Sequence, residues 1–514
     1  MANKKISELI ELINPDGAEE LIVNDGGISK RLSLNNLEVG GLEIKTAATS
    51  NIGLGNSALG SLTTGNYNIC VGDGSMFYNT TGTANVAIGH YPLVLNTTGS
   101  NNTTVGFQSM YHNTTGNSNT AIGYRSFFNG TGNSNTAIGY LSLYNATGAN
   151  NTAIGFQSMY YNTTGFNNTA IGLSSMVLNT TGSNNVTIGL NSMYSNTTGT
   201  GNIAMGYRAL FSNTGGGENT ALGYEAMVNS VSGTKNTAVG YNSLFSNTTG
   251  NYNVAMGFRA LYLNTTSSAN TAIGYESMST TTGANNTSSG FQSMHLNTTG
   301  VNNNAFGYSS LKNNTTGTNN VAIGLSSMVL NTTGSSNVAV GNYSGQRMTT
   351  GNYQIVLGYD TESVGSNYFT FGTGTGSHRV YNQFTANATW TRASDERIKK
   401  DIVDNNDCGL AFINDLRTVT YKFKSPSELD KTMSEYDADK TEATHKDKMY
   451  GFIAQEVKEA MDKHNIKDFS GWHQINDKKD NMQGISYEMF VMPLVKAVQE
   501  LTAKVETLEA KINA

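Results

Sequence analysis

The stretch that decides the fold reads NTAIGFQSMYYNTTG, residues 151–165, and variants of it fill the centre of the chain. Its glycine, Gly155, is one of nineteen at equivalent positions, and of the 18 intervals between these glycines 15 are 17 residues long and three are 16. They are Gly55, Gly72, Gly89, Gly106, Gly123, Gly139, Gly155, Gly172, Gly189, Gly206, Gly223, Gly240, Gly257, Gly274, Gly290, Gly307, Gly324, Gly341 and Gly358. Such a fixed period is typical of a solenoid whose units stack on their neighbours.

Each unit predicts two short strands and a tight corner. The first strand runs from Asn151 to Ile154 and ends at Gly155, and the second carries a large apolar residue such as Met159 four places after the glycine. The Asn-Thr-Thr-Gly phrase at 162–165 supplies the corner, because Asn and Gly tolerate the positive φ of tight turns. We expect the three 16-residue units to be shortened in this corner.

Two neighbouring residues of the first strand, Ala153 and Ile154, are both apolar, although successive strand residues face opposite sides. We expect the isoleucine to fill the coil and the alanine to face the same strand of another chain around an axis. Cys70 occupies the slot that Ala87 holds one repeat later, so it is expected close to that axis. At about 4.8 Å per coil the shaft would be roughly 85 to 90 Å long.

Charge separates the repeat block from its flanks. Between residues 51 and 350 only ten side chains are charged, whereas the last 124 residues are rich in Lys, Asp and Glu. The ten are Asp73, Arg125, Arg208, Glu218, Glu225, Lys235, Arg259, Glu276, Lys312 and Arg347. The net charge of −6 predicts no nucleic-acid partner, which would need clustered Lys and Arg.

The remaining composition bears on the compartment. Cys70 and Cys408 form no disulfide framework and fit a reducing cytosol. Glu8 and Glu11 stand where a signal peptide needs an apolar run. No stretch approaches the roughly 18 apolar residues of a membrane helix. We therefore expect neither secretion nor membrane insertion.

The two ends carry their own patterns. Residues 1–45 predict a short helix or turn and then a hairpin, in which 21–23 and 28–34 flank the turn Asn24-Asp25-Gly26-Gly27. The C-terminal helix, predicted over 493–512, has apolar residues spaced 4, 3, 4, 3, 4, namely Leu494, Val498, Leu501, Val505, Leu508 and Ile512. That seam predicts a coiled coil, and the alternative is an amphipathic helix packed on its own domain.

Resemblances to known families extend these predictions. Over about residues 51–360 the units resemble the head repeats of trimeric autotransporter adhesins and similar repeats of phage fibres, which implies a parallel β-roll of three chains around an axis. Residues 1–45 resemble the N-terminal segment of many tail fibres, which docks on the virion. The alternative for that segment is a hairpin that caps the solenoid.

Three ordered blocks resemble the intramolecular chaperone domain of endosialidases, other phage fibres and some membrane-bound transcription factors. They are ASDERIKKDI at 393–402, GFIAQEV at 451–457 and the closing helix, and together they cover about residues 390–514.

That resemblance implies a single self-cleavage between Ala393 and Ser394. Ser394 would be the nucleophile and Lys399 the general base, with Lys400 as a competing base. An uncharged amine is needed to take the serine proton, so the lysine must be desolvated enough to lower its pKa. Without the family, Ser394 would be interpreted as a helix cap.

The residue after the repeat glycine is usually aromatic, which predicts a ladder of rings along one side. Its members are Phe107, Tyr124, Tyr140, Phe156, Tyr207, Tyr224, Tyr241, Phe258, Tyr275, Phe291 and Tyr308. Packing is the expected role, and sugar binding is the alternative. No cofactor or metal site is predicted, and the four acidic residues of the shaft do not suggest a glycosidase.

The predicted fold is mainly β: a trimeric parallel β-roll or β-solenoid shaft, then an α+β chaperone domain ending in a helical coiled coil. Its segments are 1–45 for virion attachment, 46–360 for the shaft, 361–390 as a β-rich connector and 391–514 as chaperone and autoprotease.

The predicted function is that of a structural bacteriophage tail fibre or spike, made in the host cytoplasm and carried on the virion. Expected partners are two further copies of the chain, a tail or baseplate protein at the N-terminus, and a host surface receptor for which a glycan is one candidate. The alternatives are a bacterial surface adhesin and a glycan-binding trimeric solenoid. A glycan-degrading spike and an ice-binding solenoid fit the residues less well.

Overall fold

The computed structural model describes residues 12–13, 19–25, 28–33, 36–39, 42–45, 50–374, 378–383, 391–392, 396, 399–431, 436–443, 447–474 and 483–513. The chain divides into two units, Met1–Ser394 and Asp395–Ala514.

The strands of the first unit are β1 (Leu12–Ile13), β2 (Glu19–Asp25), β3 (Ile28–Ser33), β4 (Asn36–Val39), β5 (Leu42–Lys45), β6 (Ile52–Leu54), β7 (Ile69–Val71), β8 (Val86–Ile88), β9 (Thr103–Val105), β10 (Thr120–Ile122), β11 (Thr136–Ile138), β12 (Thr152–Ile154), β13 (Thr169–Ile171), β14 (Val186–Ile188), β15 (Ile203–Met205), β16 (Thr220–Leu222), β17 (Thr237–Val239), β18 (Val254–Met256), β19 (Thr271–Ile273), β20 (Thr287–Ser289), β21 (Asn304–Phe306), β22 (Val321–Ile323), β23 (Val338–Val340), β24 (Ile355–Leu357), β25 (Tyr368–Gly372), β26 (Arg379–Gln383) and β27 (Thr391–Arg392). The second unit has α1 (Leu410–Asp415), β28 (Val419–Tyr421), a 3-10 turn (Pro426–Glu428), β29 (Met449–Gly451), α2 (Ala454–Lys463), β30 (Trp472–Gln474), β31 (Gln483–Ile485), a 3-10 turn (Tyr487–Phe490) and α3 (Val491–Ile512).

Strands β6 to β24 build the shaft, one three-residue strand per coil. Each pairs in parallel with the strand of the next coil and in the same register, so that Ala153 lies beside Ala170 and Ile154 beside Ile171. The predicted β-solenoid is confirmed. Because residues of one type stand above one another, each position of the repeat becomes a column along the shaft.

The two apolar strand residues face the opposite way from the prediction. Ala153 is fully buried within its own coil, whereas the isoleucine column points outward, with Ile122 39% exposed. The expectation that isoleucine fills the coil and alanine faces an axis is wrong. A 17-residue coil encloses little space, and Ala153 shares its buried core with Met159, so only a small side chain fits there. Cys70 is likewise inside the coil, fully buried in this column, and not at an axis.

The predicted second strand is absent from the described coils. Four places after the glycine, Met159 is buried as expected, but its φ is 50° and that of Gln157 is 53°. This alternation sends successive backbone groups to both neighbours, because the Gln157 N–H donates to Tyr140 O (2.9 Å) and the Met159 N–H to Ser175 O (3.0 Å). Left-handed φ is uncommon for such residues, and these hydrogen bonds together with core burial hold it in place.

A column of asparagines four places before the glycine runs through the shaft interior. Asn168 is fully buried. Its Nδ2 donates to Asn151 Oδ1 (3.2 Å) and to Gly182 O (2.9 Å). Its Oδ1 accepts the N–H and Nδ2 of Asn185 at 3.0 and 3.1 Å. The column satisfies buried polar groups coil by coil, and the sequence analysis missed it.

The repeat glycine is required by both conformation and space. The nineteen glycines have φ between 126° and 139°, a region that side chains rarely adopt. A Cβ on Gly155 would lie 2.4 Å from the carbonyl oxygen of Gly172 in the next coil. The presence of glycine at this position in every coil therefore reflects the close approach of the backbones of adjacent coils.

The shortened units lose their residue in the corner, as predicted. In the unit that starts at Gly123, Gly130 stands where other units place a buried asparagine. A Cβ there would lie 2.4 Å from the ring of Phe127, which is fully buried. The larger ring thus fills the space that the shorter corner leaves.

Antiparallel strands end the shaft on both sides. At the N-terminal end β5 pairs with β6 and β4 with β5, and at the other end β25 pairs with β26 and β26 with β27. The predicted hairpin is confirmed: β2 and β3 pair antiparallel, and Asp25 pairs with Ile28 beside the turn. A short helix or turn was predicted before this hairpin. Within that segment the structure describes only Leu12–Ile13, which form strand β1 and not a helix. The other residues of the segment lie outside the described ranges.

The C-terminal unit has one small core of unlike residues. Phe412 of α1, Val457 and Met461 of α2, and Phe490 are buried together. Gly451 ends β29, and its lack of a side chain leaves room for Tyr487 Oη, which accepts the Phe452 N–H at 3.1 Å. The GFIAQEV block therefore forms the strand end and the start of α2.

Candidate functional site

The outward column of the shaft strands is apolar from one end to the other. The residue before the repeat glycine is Ile, Val, Leu, Met or Phe in 18 of 19 coils, Ser289 being the exception. Ile188 is 40% and Ile273 42% exposed. The column two residues earlier is Ile, Val or Thr in every coil but that of Asn304. The coil interior does not require these outward residues to be apolar.

The predicted aromatic ladder is present. The rings of Tyr124 and Tyr140 are 5.0 Å apart and 9° from parallel, and His90 extends the stack by lying on Phe107. Leu173 and Leu190 interrupt it before Tyr207. Because each face is covered by the next ring, only ring edges are presented along the ladder, which favours packing over sugar stacking there.

A second ladder, which sequence reasoning missed, stands five places after the glycine. Phe128 and Tyr144 stack at 5.2 Å, and Tyr144 and Tyr160 at 5.0 Å. The aromatic residue was visible in the sequence, but its neighbours in space are 16 or 17 residues away and its column is broken by Val177 and Val228.

Half of the shaft's charged residues lie between the two ladders, two places after the glycine. The guanidinium of Arg125 lies 5.4 Å from the Tyr124 ring centroid and 5.2 Å from that of Phe128, and its Nε donates to Gln108 Oε1 (2.8 Å). Arg208 pairs with Glu225 in the next coil at 3.0 Å. These contacts tie adjacent coils together.

The predicted cleavage dyad is only partly within the described residues. Ala393 and Ser394 lie outside them. Lys399 and Lys400 are exposed, and the Lys399 N–H donates to Glu396 O at 3.0 Å. The single chain therefore does not bury the lysine, whose role as a base requires desolvation.

The terminal helix α3 presents its heptad seam to solvent. Leu494, Leu501 and Leu508 are 49%, 50% and 58% exposed. A different face packs on the C-terminal unit, where Ala497 is buried and Glu500 accepts the Leu410 N–H of α1 at 2.8 Å. The seam is therefore not the surface that holds the helix to its own unit.

Within the described ranges, no group of three His, Cys, Asp or Glu side chains could hold a metal ion. None of the described helices is both long enough and apolar enough to span a bilayer.

Comparison with known proteins gives one family. Residues 394–466 match the family model Peptidase_S74, described as the chaperone of endosialidase. This segment begins at the second residue of the first block, Ser394, and contains the whole of the second block, and the chain is similar to that family over it. No curated protein and no solved structure gave a significant match.

Proposed function

We propose that this chain is a bacteriophage tail fibre or tail spike that assembles as a homotrimer, and that its C-terminal segment drives assembly and is then released by self-cleavage. The observation that carries the proposal is the apolar outward column of the shaft strands. It is supported by the match to the endosialidase chaperone.

The outward strand face suits a copy of the same chain. Nineteen strands at about 4.8 Å extend over roughly 85 Å, and a stripe about 10 Å wide would bury about 850 Å² per chain, close to the roughly 800 Å² per partner of a stable interface. An exposed apolar stripe of this length would otherwise favour aggregation. A copy in register offers the same period and an apolar residue in 18 of the 19 coils.

The terminal helix supports self-association from a separate part of the chain. Its exposed seam, Leu494 to Ile512, has the spacing of a coiled coil. A trimer of such helices would hold three chains together while their shafts nucleate. That aid matters because a solenoid of interchain contacts is slow to start folding and a linked trimeriser raises local concentration.

Self-cleavage would use Ser394 as nucleophile on the carbonyl of Ala393, with Lys399 as general base. The Ser394 hydroxyl proton passes to the lysine amine, and the serine oxygen attacks the Ala393 carbonyl. The C–N bond then breaks as the lysine returns the proton to the Ser394 nitrogen, which leaves an ester. Water hydrolyses that ester to the Ala393 carboxylate and the free serine hydroxyl. Because Lys399 is exposed in the single chain, we propose that its burial comes from the assembled trimer. Cleavage would then follow assembly.

Attachment to a host is the proposed purpose of the fibre, with the virion end at residues 1–45 and a surface receptor elsewhere. A bacterial surface adhesin with the same shaft is the second candidate, favoured by the resemblance of the repeats. The endosialidase-chaperone match favours the fibre.

Expression of the full chain tests the proposal. Wild type should lose residues 394–514 and remain a trimer by light scattering. Ser394→Ala and Lys399→Ala should keep every residue and form trimers of three times 54.8 kDa, with Lys400→Ala as the matched control that still cleaves. Equal processing of Ser394→Ala would refute the mechanism, and a monomeric Ser394→Ala chain would refute the assembly.

A further inference from the structure

The first coils of the shaft break the repeat in a way that the solenoid does not need. One place after the glycine most coils have an aromatic residue, but here Asp73 stands in that column. Two places after the glycine, where most coils have a polar or charged residue, the same coil has Gly74 and the next has Tyr91. Gly74 is buried beneath the Tyr91 ring, because a Cβ on it would lie 2.3 Å from that ring.

These exchanges open a cleft of about 300 Å³. Its walls include the rings of Phe77, Tyr78 and Tyr91, and its polar groups include Asn56 and Asp73. Tyr78 is 48% and Tyr91 37% exposed. Phe77 lies against Tyr78 at 89°, so the rings are crossed here and not stacked as they are along the ladder.

We propose that this cleft binds a neutral pyranoside. A ring with several axial hydrogens on one face packs its C–H bonds on a tyrosine, while a carboxylate and an amide accept and donate hydrogen bonds to neighbouring hydroxyls. Asp73 Oδ2 lies 3.6 Å from Nε2 of His90 in the next coil. That the cleft binds a host receptor depends on the proposed attachment role. That it binds a saccharide does not depend on that role.

A quaternary ammonium is the other small ligand that aromatic rings beside a carboxylate attract. It would use the rings and the charge of Asp73 but not the amide of Asn56 or the tyrosine hydroxyls. The number of hydrogen-bonding groups in the cleft favours the sugar.

Saturation-transfer NMR on the full-length Ser394→Ala chain tests the site, with methyl β-glucopyranoside, methyl β-galactopyranoside and choline as probes. Tyr91→Asn and Asp73→Leu remove one wall and the carboxylate, and both restore residues of other coils, since Asn191 and Leu173 occupy the same columns. Asn191 also has the same left-handed φ, 53° against 56° for Tyr91. Tyr308→Leu is the matched control far along the ladder, where Leu325 follows it.

At least one glycoside should receive transfer in the parent, with axial protons strongest. The signal should fall at least fivefold in both cleft variants and persist in Tyr308→Leu. Absence of transfer to both glycosides, transfer unchanged by Tyr91→Asn, or transfer to choline alone would overturn the inference. Each of these results can occur with trimerisation and cleavage intact, so the cleft can fail without the proposed function failing.

Discussion

Every coil of the shaft repeats one interior, whereas the C-terminal unit has a single core of unlike residues. In the shaft an alanine, a methionine or leucine and an asparagine recur in register, and each coil is bonded to both neighbours. In the C-terminal unit Phe412, Phe469 and Phe490 meet edge to face at 4.9 to 5.6 Å. The first arrangement makes stability additive along an axis, and the second depends on a few contacts distant in sequence.

The largest expected effect comes from comparing Arg substitutions inside the coil with Arg substitutions on its outer face. Replacing Ala121 and Ala170 by Arg buries two charges in the coil core, which should prevent folding and give insoluble chains. Replacing the neighbouring Ile122 and Ile171 by Arg should leave the coils folded but break the trimer. Circular dichroism and light scattering on the Ser394→Ala background measure both outcomes. A soluble trimer from the alanine pair would contradict the coil interior, and one from the isoleucine pair would contradict the proposed interface.

The asparagine column gives a smaller, graded effect. Asn168→Ala removes the side chain that bonds Asn151, Gly182 and Asn185 and leaves buried partners unsatisfied, at a cost on the order of 3 kcal/mol per chain. The unfolding temperature at a fixed scan rate should fall by a few degrees. The matched control is Asn167→Gly, next in sequence but exposed and at a φ of 55° that glycine tolerates. Equal losses in the two variants would mean that the buried column adds no stability.

The repeat explains what the sequence could and could not predict. A 17-residue period with a glycine at each corner predicts stacked coils whatever the side chains do, and the solenoid followed from it. Which side of a three-residue strand faces inward is not set by alternation, because Ala153 and Ile154 are both apolar. It is set by coil volume, which only the closed backbone reveals.

The candidate sites also differ in how far they could be predicted from the sequence. The heptad spacing of α3 is local, so the helix could be predicted, although it begins at Val491 and not at 493. The cleft brings together Asp73 of one coil and Tyr91 of the next, and Gly74 leaves the room that the Tyr91 ring occupies. Nothing in a single unit of the repeat indicates it. The pairing of Ser394 with Lys399 stays a prediction.

Thiol labelling compares the two regions directly. Burial raises the pKa of Cys70 to about 12, and it also raises the pKa of Cys408. Both thiols should react slowly, Cys70 only when coils separate and Cys408 through opening of its small core. Labelling of Cys70 at pH 8 should be as slow in the Ile122 and Ile171 variant as in the trimer. Faster labelling of that variant would mean that Cys70 is covered by a neighbouring chain in the trimer and not by its own coil.

Acid should affect the two regions in opposite directions, and this is the smallest expected effect. Burial raises the pKa of Glu362 at the end of the shaft, where the carboxylate accepts the Arg347 N–H at 3.2 Å. A raised carboxyl pKa means that the folded state binds the proton more tightly, so this end gains stability as the pH falls through that pKa towards about 4.5, where the gain is complete. Hydrogen bonds from Lys463 and His464 lower the pKa of Asp415, so its contribution is present above about 4 and is lost as the pH falls below that.

Thermal unfolding of the uncleaved Ser394→Ala chain between pH 6 and pH 3.5 resolves the two responses. The chain has two tryptophans, so Trp390→Phe leaves Trp472 of β30 to report the C-terminal unit by fluorescence, while circular dichroism follows the shaft. The C-terminal transition should move down below about pH 4, and Asp415→Asn should reduce that movement because it removes one of the carboxyls whose pKa is lowered in this unit, beside Glu428, Asp437 and Glu456. The shaft transition should rise slightly from pH 6 to 4.5, and Glu362→Gln should flatten the rise. Parallel shifts of both transitions in the parent would mean that a general charge effect, and not these two carboxyls, governs the response to acid.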